Sequence, residues 1–291
     1  MKVSFIGLGA MGFPIAGHLA SAGHDVTVYN RTSSKSQSWL SSYSGHSKAT
    51  PALACEHAQV VFLCVGNDFD VKEVVLGKDG VLASMTSNSI LVDHTTTSAE
   101  LARELAHACG DKGISFLDAP VSGGQAGAQN GKLTVMLGGD QRHYDAIIAL
   151  LNCYSQKHQL MGPVGAGQLT KMVNQICIAG VVQGLSEALH FAQNAELEVD
   201  KVIDVISKGA AQSWQMENRW STMIKGEFDF GFAVDWMRKD LGIVLDEAKR
   251  NKSALPVTAL VDQFYAQVQA RGGNRYDTSS LISLLNKPKS T

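Results

Sequence analysis

An apolar run at Lys2–Ile6 opens directly into Gly7-Leu8-Gly9-Ala10-Met11-Gly12, and a helical pattern then leads to a second strand-like run, Asp25–Tyr29. A GxGxxG that follows a strand, opens a helix and is closed by a second strand is the nucleotide-binding form of a βαβ unit. Each glycine has a physical task. Gly7 permits the tight turn, Gly9 lets backbone approach a pyrophosphate, and Gly12 lets helix and strand pack closely. The helix start supplies N–H groups and the positive end of the macrodipole, so Gly7 to Gly12, with Leu8, Ala10 and Met11, form a candidate dinucleotide cradle.

The same alternation continues to residue 162. Strand-like runs are expected at Val60–Val65, Ile90–Asp93, Ser115–Asp118, Leu133–Leu137 and Gln159–Met161, with turn or capping residues after each. This predicts an α/β Rossmann-type, doubly wound parallel sheet over residues 1–162. After Gly162-Pro163-Val164-Gly165-Ala166-Gly167 the period becomes helical. A long helix is expected from Gln168 to about Ala195, then helices around Val202–Ile206, Trp214–Ile224, Ala233–Lys249 and Val257–Gln269, giving an all-α domain over 163–291.

Composition narrows the classes of partner. With 25 basic and 27 acidic side chains and a net charge of −2, the chain has no excess of positive charge for a nucleic-acid backbone or an acidic membrane. The five cysteines form no CxxC pair and read as reduced thiols. No signal peptide and no uninterrupted apolar run of bilayer length are apparent, so a cytoplasmic protein is expected. The nine histidines are scattered without carboxylate-backed pairs, so no catalytic metal is expected.

The second strand ends in Asn30-Arg31-Thr32-Ser33. An NAD enzyme usually has a carboxylate there for the ribose hydroxyls; a neutral Asn30, a guanidinium and hydroxyls suit a 2′-phosphate instead, so NADP(H) is expected over NAD(H). The alternative is a solvated loop arginine. Val65-Gly66-Asn67 and His94-Thr95-Thr96 follow later strands, where a doubly wound sheet places ligands, and are expected to line the nicotinamide and ribose half.

Two further groups carry chemistry. Ser122 Oγ and the N–H groups of Gly123 and Gly124 can converge on a carboxylate, unless Ser122 only caps a turn. Lys171, Asn174 and Gln175 share one face of the long helix at i, i+3 and i+4 within an apolar segment. Lys171 there is either a proton donor or a lysine snorkelling to solvent. Trp236 lies three residues before Lys239 on one helix face.

Five stretches together resemble the β-hydroxyacid dehydrogenase family, which includes 3-hydroxyisobutyrate dehydrogenase and the tartronate, glyoxylate and succinic semialdehyde reductases. They are the glycine loop with Pro14 and Asp93-His94-Thr95-Thr96; Asp118-Ala119-Pro120-Val121-Ser122-Gly123-Gly124; Gly162-Pro163-Val164-Gly165-Ala166-Gly167 followed by Lys171; and Lys239-Asp240. Gln175 stands where many members have Asn, and His94 where small or thioether residues are common. The resemblance implies an NADPH-dependent reductase of small carboxylate-bearing aldehydes or keto acids, with Lys171 as general acid/base. It further implies Ser122, Gly123, Gly124, Asn174, Gln175 and Trp236 at the substrate, Lys239 near cofactor and substrate, and a homodimer or homotetramer. Rival readings are a non-catalytic NADP-sensing module, an imine reductase of the same architecture, and a decarboxylating sugar-acid dehydrogenase.

Overall fold

The computed structural model describes residues 1–285. Lys2–Ile6 forms β1, and both of its faces are covered: Val3 and Phe5 pack with Val26, Val28 and Phe62, while Ile6 joins Val61, Leu63 and Leu91. A strand buried on both faces belongs at the centre of a sheet with helices on either side. The order along the chain is α1 (Gly12–Ser21), β2 (Asp25–Tyr29), α2 (Ser33–Ser42), β3 (His46–Ser47), α3 (Pro51–Cys55), β4 (Val60–Leu63), α4 (Asp68–Leu76), β5 (Ile90–Asp93) and α5 (Ala99–Gly110). It continues with β6 (Ser115–Asp118), β7 (Val121–Ser122), α6 (Gly124–Gln129), β8 (Leu133–Gly138), α7 (Gln141–Leu151) and β9 (Ser155–Gly162).

The strand order is β3-β2-β1-β4-β5-β6-β8-β7, with β9 paired to β8. The order reverses between β1 and β4, so the loops leaving their carboxyl ends diverge and open a crevice at the switch point. The expected strands are present, with differences. β3 and β7 are two-residue strands too short to leave a periodic signal, β4 ends at Leu63, and β9 starts earlier, at Ser155. The sheet is also not wholly parallel: β8 runs antiparallel to β6 and β7. β6 and β7, with only Ala119 and Pro120 between them, continue in one register along β8 (Asp118 opposite Gly138, Val121 opposite Val135, Ser122 opposite Thr134), and the chain turns back through α6 to enter β8 as an antiparallel neighbour. Parallel pairing resumes between β8 and β9, joined through α7.

One compact unit comprises Met1–Lys171 and a second begins at Met172. The long helix α8 (Ala166–Asn194) contains that boundary. It is followed by α9 (Val199–Ile206), α10 (Trp214–Lys225), α11 (Val234–Asn251), α12 (Pro256–Ala270) and a 3₁₀ stretch, Thr278–Leu284. Length and composition alone would let α8 cross a membrane. Its sequence nonetheless includes Lys171, Gln175 and Ser186, all buried, and its Ala179 and Val182 pack with Val234, Met237, Leu241 and Tyr265 as a core helix does.

Candidate active site

The glycine loop separates protein needs from ligand needs. Gly7 has φ +99°, a conformation L side chains rarely adopt, and a Cβ there would overlap the carbonyl oxygen of Cys64. A Cβ on Gly12 would overlap the Gly7 carbonyl oxygen and lie 2.8 Å from the Phe5 ring. Gly9 is different, since a Cβ there would meet no protein atom within 4 Å. The protein leaves open the place where a dinucleotide backbone would approach the start of α1 and the positive end of its dipole. These residues fit the cofactor that the motif implies.

Asn30 holds this loop from the end of β2. Its Oδ1 accepts from Leu8 N at 2.8 Å, and its Nδ2 donates to Thr32 O at 3.0 Å. Arg31 is exposed, and its Nη1 lies 3.4 Å from Asp70 Oδ1 on α4. Thr32 is the residue before α2 and makes no side-chain capping bond. Asn67, expected beside the cofactor, caps α4 by accepting from Asp70 N at 3.0 Å.

At the ends of β4 and β5, Val65 N donates to Thr95 Oγ1 at 3.0 Å, and Thr95 N donates to Asp93 Oδ1 at 2.8 Å. Gly66 lies between Val65 and the Asn67 cap. Burial pushes the Asp93 carboxyl up to about 7, against the hydrogen bonds from Thr95 that favour its ionised form. His94 is buried and stacked on Phe62; its Nδ1–H donates to Ala119 O at 2.6 Å and its Nε2 accepts from Tyr154 OH at 2.9 Å. Ala119 O can only accept, which fixes the tautomer, and burial pushes the imidazole down to about 4. His94 is therefore a neutral link between the end of β5 and the strand end that leads to Ser122.

Ser122 ends β7, and Gly123 and Gly124 follow with φ of +125° and +61°. Glycine is thus required at both by backbone conformation, besides any need for access. Four residues earlier, the Asp118 carboxylate turns to α8: Oδ1 accepts from Gly165 N at 2.7 Å and Oδ2 from Gln168 N at 2.8 Å. Burial raises this carboxyl, and the backbone donors from Gly165, Gln168 and Gly167 oppose the shift. An acid at the start of a helix satisfies its free N–H groups and suits its dipole. Lys171 stands one turn further on and is buried, with 7% exposure.

In the second unit, Asn174 Nδ2 donates to Gln175 Oε1 at 2.7 Å, and Gln175 Nε2 donates to Asp240 Oδ2 at 2.6 Å. The other oxygen of Asp240 lies 3.0 Å from Lys239 Nζ, which also sits 5.9 Å from the Trp236 ring centroid. Trp236 is 37% exposed and Gln175 3%. Both heads of the Gln175 amide are taken up by side chains of its own unit, so Gln175 bridges α8 to α11.

Within the first unit, the structure gathers the glycine loop, the Asn30 segment, Val65, Thr95, Ser122 and Lys171 on elements that leave the carboxyl ends of strands or directly follow them. Asp70 and Gln168 were not singled out in the sequence, and Asp93 and Asp118 were named there only as members of motifs, with no role of their own. Charged residues ending otherwise apolar strands were the available signal for the two buried aspartates. Among the described residues no group of three or more His, Cys, Asp or Glu could hold a metal ion.

Known proteins resemble the whole chain. Residues 2–162 match the NAD binding domain of 6-phosphogluconate dehydrogenase, and residues 165–285 match the NAD-binding domain of NADP-dependent 3-hydroxyisobutyrate dehydrogenase. An uncharacterized oxidoreductase of Shewanella frigidimarina is 64% identical over 99% of both chains. The 2-hydroxy-3-oxopropionate reductase of Escherichia coli is 34% identical over 98% of this chain and 97% of its own. The structure of a Mycobacterium tuberculosis 3-hydroxyisobutyrate dehydrogenase, solved with L-serine, superposes with a TM-score of 0.88 at 26% identity, covering 98% of this chain and 99% of that one.

Proposed function

The chain belongs to the β-hydroxyacid dehydrogenase family, and from that premise we propose an NADPH-dependent reductase of small aldehyde or keto acids, with Lys171 as its general acid. The observation that carries this reading is the burial of Lys171 to 7% exposure at a helix start capped by Asp118, in the same unit as the glycine loop. A charged side chain is expensive to bury, and a charge-bearing proton donor is a reason to do so.

The dinucleotide supplies the hydride. Gly7 to Gly12 hold its pyrophosphate, while Arg31 and Thr32, beside a neutral Asn30, favour the 2′-phosphate of NADP(H). Val65, Gly66 and Thr95 line the strand ends beyond. Ser122, Gly123 and Gly124 orient the substrate carboxylate, and Lys171 Nζ delivers its proton to the carbonyl oxygen as negative charge develops there. In the reverse direction the same amine accepts the proton from the hydroxyl. The enzyme is expected to be a homodimer or homotetramer, with Val173, Cys177, Val181 and Phe191 exposed along α8; a monomeric mass at micromolar concentration would reject that part.

The test is a panel of glyoxylate, succinic semialdehyde, tartronate semialdehyde, methylmalonate semialdehyde and a cyclic imine with NADPH and NADH. Steady NADPH oxidation with at least one acid supports a reductase. Cofactor binding without turnover would favour the sensing module, and turnover only with an imine would favour the imine reductase.

A further inference from the structure

Gln168 is fully buried, and its carboxamide is used at both ends. Its Nε2 donates to Thr95 O at 2.7 Å, and its Oε1 accepts from Thr97 N at 3.0 Å. The two backbone groups flank Thr96, so a single side chain grips the loop between β5 and α5. The other end of the grip is equally fixed, since Gln168 N donates to Asp118 Oδ2. Thr95 in turn receives Val65 N on its hydroxyl and donates its own N–H to Asp93. Lys171 follows Gln168 by three residues, which puts it on the same face one turn along α8.

Burial of a polar head is costly unless its hydrogen bonds are made, and an apolar side chain would fill the same volume more simply. Only a group that donates and accepts at once can hold both Thr95 O and Thr97 N. We propose that Gln168 is a positioning residue that locks the Thr95–Thr97 loop to the base of α8, setting Lys171 against the strand ends where Val65 and Thr95 lie. This rests on the reading of Lys171 as the acid. A proton donor displaced by about 1 Å loses on the order of 10²-fold in rate, so a rigid tie between donor and binding loop has a catalytic effect without touching substrate.

Two variants separate this role from simple packing. Gln168→Met keeps the volume and loses both bonds. Gln168→Glu keeps the acceptor for Thr97 N, and it regains the donor to Thr95 O only when protonated. The ionisable groups about the clamp are Asp93 and His94 at the end of β5, Asp118 at the end of β6, Asp68 on α4, whose carboxylate accepts from Ser98 N and Oγ, Arg103 on α5 beside Gly165, and Lys171 on α8. Burial and the nearby carboxyls keep the introduced acid protonated well above the usual carboxylate range.

The experiment measures kcat and KM from pH 5.5 to 8.5, NADPH affinity by fluorescence, and amide exchange of the 94–98 segment against α10 as an internal reference. Gln168→Met should lower kcat by about 10–100-fold, leave NADPH affinity within about threefold, and speed exchange at 94–98 only. Gln168→Glu should approach wild-type kcat at the acid end and fall away as pH rises, relative to the wild-type profile. A Met variant with wild-type kcat and exchange, or a Glu variant that tracks the wild-type profile, overturns the proposal. If the wild type reduces no acid of the panel, the reading of Lys171 fails, and amide exchange still decides whether Gln168 holds the loop.

Discussion

A methyl group on Gly12 would overlap the carbonyl oxygen of Gly7, while one on Gly9, in the same loop, would touch no protein atom within 4 Å. The pair separates folding from binding. Gly12→Ala is expected to destabilise the protein by several kcal/mol, since backbone on one side and the Phe5 ring on the other leave nowhere to yield. Gly9→Ala should melt within about 2 °C of wild type and bind NADPH at least tenfold more weakly. Equal effects of the two substitutions on melting would remove the ligand from the explanation of Gly9.

Arg31 carries the expected cofactor preference, and the structure gives it a competitor in Asp70, 3.4 Å away. Arg31→Ala should weaken NADPH by about 1.5–3 kcal/mol, as for a hydrogen bond to a charged group, and spare NADH. The Arg31–Asp70 pair is exposed, and such pairs are worth roughly 0–1 kcal/mol. Asp70→Asn should therefore tighten NADPH by no more than about fivefold without changing NADH affinity. A wild type that prefers NADH contradicts the reading of this loop.

Much of this was legible in the sequence for physical reasons. The glycine loop was readable because turn, phosphate approach and helix packing all demand glycine at one spacing, and Lys171 because a lysine in an apolar helical stretch stands out. The helices of the second unit followed from periodicity alone. Gln168, Asp118 and Asp240 were not read as parts of the site. Their hydrogen-bond partners Gly165, Gln175 and Thr95 lie 47 to 73 residues away in the chain, and no local pattern reports such pairings. The antiparallel β8 was missed because a two-residue strand, Val121–Ser122, intervenes without a periodic signature of its own.

His94 makes stability depend on pH in a sense that can be isolated. Burial lowers its folded pKa to about 4 from 6.5, so its contribution is fully present above 6.5 and is lost as pH falls toward 4. Asp93 acts oppositely: its folded pKa is raised to about 7 from 3.8, so its contribution is present at acid pH and lost as pH rises through that window. The wild type alone mixes the two. The difference in unfolding free energy between wild type and His94→Gln, measured by urea at pH 4.5, 5.5 and 7, should shift in favour of the variant by on the order of 2–4 kcal/mol across this range toward acid. A pH-independent difference would contradict the neutral, buried imidazole.

Asp240 joins Gln175 Nε2 at 2.6 Å and Lys239 Nζ at 3.0 Å while itself 2% exposed. Removing one member of a buried pair leaves the other uncompensated, which typically costs about 3–5 kcal/mol. Lys239 keeps partial access to solvent, so Asp240→Ala should lose roughly 2–3 kcal/mol in urea unfolding. A loss below about 1 kcal/mol would show that this pair behaves as a surface one.

The proposed reduction turns on the ammonium of Lys171 as the group that protonates the forming alkoxide. Arginine keeps the charge, but its pKa above about 12 makes it a poor proton donor, and general-acid catalysis is typically worth about 10²–10⁴-fold. The direct measurement is turnover of the best acid substrate by wild type, Lys171→Ala and Lys171→Arg, with NADPH affinity determined on the same samples by fluorescence. Both variants should bind NADPH within about threefold of wild type and lose at least about 10²-fold in kcat. Near-normal turnover by Lys171→Arg would contradict the assignment of the acid, and loss of NADPH binding in both variants would make Lys171 a structural residue.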